Sequence, residues 1–195
     1  MNISTEGIPL LKSGRMLPHY RILSSFLDDI LREDVNLLDI NCNNGSLCEL
    51  IQIMYPFGIR YMGIDEDSSK IEEACNKKLR GAFRLADYSK MRLKSNSYDV
   101  VLAQGQFLDS DNILEKIDLL FRVAKGWVVL FDFLVIPEQE GVVEIEMNDR
   151  KVYLHGLGYI NEIISIMNPT NIKCSFVVKT DNPAMPTPSI FAIKL

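Results

Sequence analysis

Acidic and amide side chains close several short apolar runs of the chain, and their positions suggest ligand-binding chemistry. Asp39, Asp65 and Asp87 each stand at the end of such a run, and Gln104 ends another. If the runs are parallel strands, their carboxyl ends share one edge of a sheet, where α/β proteins bind ligands. At that edge a carboxylate such as Asp65 can accept hydrogen bonds from both hydroxyls of a ribose. The four side chains are therefore candidates for one site.

The elements that would position these residues alternate along the chain. Short apolar runs typical of strands buried on both faces are separated by segments with apolar residues at helical spacing. The strand segments are 35–41, 59–65, 82–87, 98–104 and 126–135, and the helical segments are 45–54, 68–78 and 111–124. This alternation predicts right-handed βαβ crossovers and a parallel sheet with helices on both faces.

Two further segments add elements to this core. Apolar residues between Leu23 and Leu31 recur every three or four positions, which predicts an amphipathic helix in the N-terminal segment 1–34. Residues 142–155 consist of two strand-like halves around the Asn-Asp pair at 148–149, and they predict an appended β-hairpin.

The end of the chain sets the orientation of the last strand. A helix is predicted at 158–167, followed by strands at 172–180 and 189–195, and the Pro-rich loop between these strands is too short for a crossover helix. The last two strands must therefore be antiparallel. Residues 1–195 are predicted to form a single α/β domain, with a doubly wound, seven-stranded, mostly parallel sheet and an antiparallel last strand.

The loop after the first strand resembles a known motif. In class I S-adenosylmethionine (SAM) methyltransferases an acid is followed by glycines at alternate positions, and here Asp39 is followed by Asn41, Asn43 and Gly45. Asn is the non-glycine residue that best tolerates a left-handed backbone, so the loop is expected to keep its turn. The two Asn side chains would then narrow the space where the methionine part of SAM lies.

Three further segments resemble the same family in the same order. In the family, the acid in the place of Asp65 binds the ribose, Asp87 and the backbone N–H of Tyr88 meet the adenine edge, and Asp99 serves structure. The resemblance implies a Rossmann-like fold, SAM as the cofactor and S-adenosylhomocysteine (SAH) as the product. The implied cofactor site comprises Asp39, Asn41, Cys42, Asn43, Gly45, Asp65, Glu66, Asp87, Tyr88 and Gln104.

Structural roles compete with these ligand roles. Asp39 could cap the helix that follows it, and Asn41 and Asn43 could be ordinary turn residues. Asp65 together with Asp67 could cap the next helix. Both kinds of role stay open on the sequence alone.

Other residues are expected to serve the fold. Ser69 and Glu72 fit a capping box at the start of the second helical segment. Cys42 and Cys48 are expected to be small buried hydrophobic residues, and Asp87 fits a ligand role and a local role equally well.

The sequence marks no residue strongly as catalytic. His155 ends the predicted hairpin, in a region that often shapes the substrate pocket in the family, and it is a candidate general base against a competing packing role. Asp132 with Asp109 and Asp111 could bind a metal, as in metal-dependent O-methyltransferases. Helix capping suits Asp111 better, and no metal is expected.

The segment after the fourth strand narrows the range of acceptors. Residues 104–107 read Gln-Gly-Gln-Phe, unlike the Asn/Asp-Pro-Pro-aromatic sequence of methyltransferases that modify amino groups of adenine, guanine or glutamine, and they include no Pro-Cys nucleophile for cytosine. The formal net charge of −5 also disfavours nucleic acid as a partner. The expected reaction is methyl transfer to a small molecule, with a protein side chain as an open alternative.

Two rival functions fit parts of the sequence. A non-catalytic methyltransferase-fold protein that binds or scaffolds would explain the two missing glycines. A nicotinamide-dependent oxidoreductase is disfavoured because it needs G-x-G-x-x-G, whereas the segment 41–46 holds one glycine. Scattered cysteines, with no leader segment and no membrane-spanning run, favour a cytoplasmic protein.

Overall fold

In the computed structural model, strands and helices alternate along the chain much as the sequence predicts. The structure describes residues 18–32, 34–56, 58–105, 113–147, 150–176 and 187–195. Within these ranges the α-helices are α1 (Pro18–Ile30), α2 (Ser46–Met54), α3 (Ser68–Asn76), α4 (Ile113–Val123) and α5 (Leu157–Ile166). None of these helices is long and apolar enough to cross a membrane.

The strands of the described residues belong to one sheet. They are β1 (Asn36–Ile40), β2 (Arg60–Asp65), β3 (Ala82–Leu85), β4 (Tyr98–Gln104), β5 (Ala124–Ile136), β6 (Val142–Met147), β7 (Arg150–Gly156), β8 (Asn171–Phe176) and β9 (Thr187–Lys194). The predicted turn at 148–149 and most of the predicted Pro-rich loop lie outside the described residues.

The first five strands are parallel in the order β3-β2-β1-β4-β5. The direction of winding reverses between β1 and β4, and in doubly wound sheets the ligand crevice lies at this point. Strand β9 runs antiparallel to β5, and β8 runs antiparallel to β9. The predicted mostly parallel sheet with an antiparallel last strand is confirmed. The predicted number of seven strands is wrong, because the two hairpin strands β6 and β7 also join the sheet, which has nine strands in the described part of the chain.

The β6–β7 hairpin joins the same sheet. Val135 of β5 pairs with Thr187 of β9 on one edge and with His155 of β7 on the other. On that second edge β4 ends opposite Phe131, so β7 continues the sheet where β4 stops. The hairpin therefore borders the carboxyl end of β4.

Alternate strand residues face two separate cores. Leu37 and Leu102 pack with α1 and α2, on what we call the near face, whereas Leu38 packs with α4 and α5 on the far face. Side chains two residues apart on a strand share a face. Asp39 and Gln104, each two residues after a near-face leucine, therefore lie on the near face.

Helix α3 begins with a different cap from the predicted one. The capping box of Ser69 and Glu72 is wrong, because Asp67 is the N-cap. Its Oδ1 accepts hydrogen bonds from the backbone N–H groups of Ser69 at 2.8 Å and Lys70 at 3.3 Å. The extended backbone of Asp67 directs its carboxylate at the first helical turn, which satisfies two amides that lack partners within the helix.

Candidate cofactor site

The loop after β1 passes through left-handed backbone at every second residue. The φ angle is 60° at Asn41, 50° at Asn43 and 74° at Gly45. Asn tolerates this conformation at the first two positions. At Gly45 a side chain would also crowd its surroundings, because an added Cβ would lie 3.1 Å from Phe83 and 3.2 Å from Ala74. The predicted turn is confirmed, and it needs glycine only at its last position.

This loop is hydrogen-bonded to the end of β2 through its backbone. The N–H of Cys42 donates to the carbonyl of Ile64 at 3.0 Å, and the N–H of Asn43 donates to Oδ2 of Asp65 at 2.8 Å. The other carboxylate oxygen of Asp65 accepts the N–H of Asp67 at 3.0 Å. Asp65 is 7% exposed. Its carboxylate therefore joins the loop after β1 to the turn after β2.

The asparagine side chains bond mainly within the loop. Nδ2 of Asn43 donates to the carbonyl of Asn41 at 3.1 Å. Oδ1 of Asn44 accepts a hydrogen bond from the Ser46 hydroxyl at 2.5 Å. The Asn43 amide thus braces the turn, whereas the sequence predicts a side chain that narrows the ligand space.

Two buried thiols lie under the loop. Cys42 and Cys48 are buried, as predicted for small hydrophobic residues. A Cβ added to Gly63 would lie 2.7 Å from Sγ of Cys42, so this thiol fills the space that the glycine leaves. Burial raises the pKa of both thiols well above the usual range, which makes them poor nucleophiles.

Asp39 is fully buried between β2 and β4. Its carboxylate accepts a hydrogen bond from the Tyr61 hydroxyl, and Nε2 of Gln104 donates to its oxygens at 3.2 and 3.1 Å. Burial raises the pKa of Asp39 to about 7, the two hydrogen bonds offset part of that rise, and the charge of Asp65 adds to it. The helix-capping role is wrong, because the N-cap of α2 is Gly45 and no side chain caps the helix.

The sequence pattern does not single out Tyr61, which stands inside an apolar run. In the structure Tyr61 of β2 pairs with Leu37 of β1, and Gly63 pairs with Asp39. Tyr61 is therefore the same-face residue of β2 that precedes the position opposite Asp39. The alternation of Tyr61, Gly63 and Asp65 on one face is visible in the sequence. The register between β1 and β2, which is needed to pair Tyr61 with Asp39, is not.

Asp87 lies in a local network just after β3. Oδ1 of Asp87 accepts hydrogen bonds from the backbone N–H of Ser89 at 2.9 Å and from the Ser89 hydroxyl at 2.6 Å. Oδ2 of Asp87 lies 2.7 Å from Nζ of Lys90. The bonds from Lys90 and Ser89 lower the pKa of Asp87 to about 2. The adjacent Tyr88 is buried, whereas Glu66, after β2, is exposed.

The predicted cofactor residues meet at one edge of the sheet. Asp39 bridges β1, β2 and β4, Asp65 holds the loop, and the N–H of Ala86 donates to the carbonyl of Asp65 at 2.9 Å. The residues gathered there, at the carboxyl ends of β1 to β4, are Asp39, Asn41, Cys42, Asn43, Gly45, Asp65, Glu66, Asp87, Tyr88 and Gln104.

His155, the predicted candidate base, lies outside this group of residues. His155 is fully buried, and its ring stacks on Phe133 and Tyr159 at centroid distances of 6.1 and 6.2 Å. This packing supports a role in the far-face core, and the catalytic role of His155 stays a prediction. Asp109 and Asp111 lie outside the described residues, which themselves contain no group of three potential metal-ligating side chains.

The sequence matches a family model described as a methyltransferase domain over residues 38–130. This range runs from β1 into β5 and contains every predicted cofactor residue. No curated protein matches the chain.

Solved structures share the fold over most of the chain. A SAM-dependent methyltransferase from Methanosarcina mazei is 17% identical, with a TM-score of 0.64 over 87% of this chain and 95% of its own. Magnesium protoporphyrin IX methyltransferase from Synechocystis PCC 6803, with bound SAH, is 14% identical, with a TM-score of 0.65 over 90% and 81%. Phosphoethanolamine N-methyltransferase 2 from Haemonchus contortus is 14% identical, with a TM-score of 0.69 over 90% and 52%. At such identities the likeness establishes the fold.

Proposed function

We propose that this chain is a class I SAM-dependent methyltransferase that transfers the methyl group of SAM to a small-molecule, non-nucleic-acid acceptor. SAH is the second product. The match of residues 38–130 to a methyltransferase-domain model supports the reaction, and the proposal adds the class of acceptor.

The observation that carries the proposal is the joint geometry of the loop after β1 and Asp65. Left-handed backbone at positions 41, 43 and 45 shapes the loop, and the N–H of Asn43 anchors it to Asp65. Each oxygen of Asp65 accepts one backbone N–H, and a carboxylate oxygen has a second acceptor position. Asp65 can therefore accept both ribose hydroxyls without releasing the loop.

The remaining site residues have roles that suit the rest of SAM. Asp87 and the backbone N–H of Tyr88 lie after β3, where they would meet the adenine edge. Asp39 holds the Gln104 amide beside the loop, where the methionine part of SAM would lie. The acceptor atom attacks the methyl carbon, the carbon–sulfur bond breaks, and its electrons return to sulfur. Because the sulfonium is already activated, the protein mainly aligns the two reactants.

The acceptor class rests on charge and on the fold neighbours. The protein has a formal net charge of −5, which opposes binding to a phosphate backbone. Two of the fold neighbours are named for small acceptors, a porphyrin and phosphoethanolamine. We also propose a cytoplasmic setting, which agrees with the free thiols of all four cysteines.

Isothermal titration calorimetry with SAM and with SAH tests the proposal directly. We expect both ligands to bind to the parent protein and to Asp118→Asn, a control on the exposed side of α4. Absence of heat and of any shift in melting temperature with millimolar ligand would contradict cofactor binding. Binding of SAH without methyl transfer to any small molecule would favour the non-catalytic alternative.

A further inference from the structure

Strand β5 contains a β-bulge at Asp132. Phe131 pairs with Ile190 of β9, and the next pair is Phe133 with Ser189, so Asp132 is an extra residue on β5. Its φ angle is 53°, a left-handed value inside a strand. The buried hydroxyl of Ser189 donates to the carbonyl of Phe133 at 2.6 Å and so holds the strand just after the bulge.

The bulge changes the face on which the following residues lie. Leu130 belongs to the far-face core and Phe131 to the near-face core, yet Phe133 lies in the far-face core again. Regular alternation would bury Asp132 among the apolar side chains of the far face and place Phe133 on the near face. The extra residue prevents this arrangement. β-Bulges commonly re-aim a side chain in this way beside active sites.

The near-face surroundings of Asp132 adjoin the candidate cofactor site. The ring of Tyr20, from α1, lies 5.6 Å from the ring of Phe131. Burial raises the pKa of Tyr20 well above its usual value, and the charges of Asp132 and then Asp39 raise it further. Gly105, which follows β4, donates its N–H to the carbonyl of Phe131 at 2.7 Å. Asp132 is therefore close to Tyr20, and it lies beside the carboxyl end of β4.

The electrostatics of Asp132 suit a proton acceptor. Burial raises its pKa to about 6, and no cationic side chain of the described residues offsets that rise. Of the described residues, the titratable group facing Asp132 is Tyr20 from α1, while His155 from β7 stacks on Phe133 on the other face. A half-buried carboxylate to which the described residues bring no cationic side chain favours a positively charged partner.

We propose that Asp132 is the catalytic base of this protein and that its acceptor is an amine, bound as an ammonium ion between Asp132 and Tyr20. The inference rests on the proposed methyltransferase function and names a residue and a substrate class for it. The β5 bulge is then the device that brings the carboxylate to the near face.

The reaction balances with the groups present. Asp132 takes one proton from the ammonium ion, which leaves a lone pair on nitrogen. That lone pair attacks the methyl carbon of SAM, the carbon–sulfur bond breaks, and SAH leaves with the electron pair. The product is an N-methylammonium ion, and the proton on Asp132 returns to water.

The first test uses SAM with a trideuterated methyl group and a small-molecule cell extract as the source of acceptor. We expect labelled product with the methyl group on nitrogen, located by fragmentation in a mass spectrometer. Asp132→Asn should form that product at least about 100-fold more slowly, the contribution typical of a general base. Asp118→Asn, on the far-face helix α4, should match the parent.

SAH titration separates failure of the inference from failure of the proposed function. Asp132→Asn should bind SAH like the parent, and loss of SAH binding by the parent itself would reject the methyltransferase function. With SAH bound, three results would overturn the inference: label on oxygen, carbon or sulfur, no labelled product, or an unchanged rate in Asp132→Asn.

Thermal unfolding shows whether Asp132 serves the fold instead. Glycine adopts a left-handed backbone freely, so Asp132→Gly should raise the melting temperature while abolishing transfer. Asp132→Asn should leave the melting temperature nearly unchanged, because Asn tolerates the same backbone. A marked fall in both variants would assign Asp132 to the stability of the strand and reject its catalytic role.

Discussion

Left-handed residues other than glycine occur in two parts of the site, the loop after β1 and the β5 bulge, and they serve different purposes. In the loop, Asn41 and Asn43 let the backbone turn so that its N–H groups reach β2 and Asp65. In the bulge, Asp132 interrupts the pairing with β9 and keeps its own side chain out of the far-face core. The loop therefore acts through its backbone conformation, whereas the proposed role of the bulge depends on one side chain, the carboxylate of Asp132.

Asp39 precedes the loop and accepts hydrogen bonds from Gln104 of β4, the strand beside β5, and its replacement is expected to have the largest effect. Its pKa is raised from 3.8 to about 7 in the folded protein, so the folded state binds the proton more tightly than the unfolded state. Stability should therefore fall as pH rises from about 4 to 7 and level off above that range. Asp39→Asn should remove this fall, on the order of 2–4 kcal/mol across the range.

Urea unfolding of Asp39→Asn and of the parent at closely spaced pH values measures this difference. The parent and variant should converge near pH 4 and diverge toward pH 7. Parallel curves over the whole range would mean that Asp39 is not the buried group that titrates.

Asp65→Ala tests the anchor of the loop, and we expect the next largest effect from it, a loss of SAM affinity. The substitution removes the acceptor for the N–H groups of Asn43 and Asp67 and the proposed acceptor for the ribose. SAM affinity should fall by about 1.5–3 kcal/mol, the range for hydrogen bonds to a charged group. Calorimetric titration checks this, and Asp118→Ala, at an exposed acid of α4 outside the cofactor site, serves as the comparison. Equal losses in the two variants would argue that Asp65 has no special role.

Gly45→Ala tests the claim that backbone conformation governs the loop. A left-handed alanine costs about 1–2 kcal/mol, and its Cβ would lie 3.1 Å from Phe83 and 3.2 Å from Leu79. The free energy of unfolding should fall by at least that amount. Gly141→Ala is the matched control, because its φ of 78° is similar and no atom lies within 4 Å of an added Cβ. The difference between the two variants isolates the packing contribution at Gly45.

The two regions also differ in how far they can be predicted from sequence. The strand order and the loop follow from patterns that local physics controls: apolar runs, helical spacing, and Asn in place of Gly at alternate positions. Asp132 could be named from sequence only as a possible metal ligand. Its placement depends on a one-residue offset between β5 and β9, and nothing in either strand encodes that offset separately.

The same limit explains the other differences between prediction and structure. The link between Tyr61 and Asp39 needs the register of β1 against β2. The cap of α3 lies at Asp67 and not at Ser69 because the Asp67 carboxylate accepts the N–H groups of Ser69 and Lys70, and Asp and Ser are about equally good N-caps, so the pattern alone does not choose between them. The position of His155 in the far-face core depends on the hairpin joining the sheet.

The smallest effect is expected from replacing both left-handed asparagines by glycine. In Asn41→Gly with Asn43→Gly the backbone keeps its conformation without strain, but the bond from the Asn43 amide to the Asn41 carbonyl is lost and the free loop gains entropy. These changes oppose ligand binding, while the removal of two side chains gives SAM more room. We expect SAM affinity to change by less than tenfold, or about 1.4 kcal/mol, in calorimetric titration. A gain larger than tenfold would show that the asparagines obstruct the pocket, and the loop would then depend on side-chain identity as the bulge does.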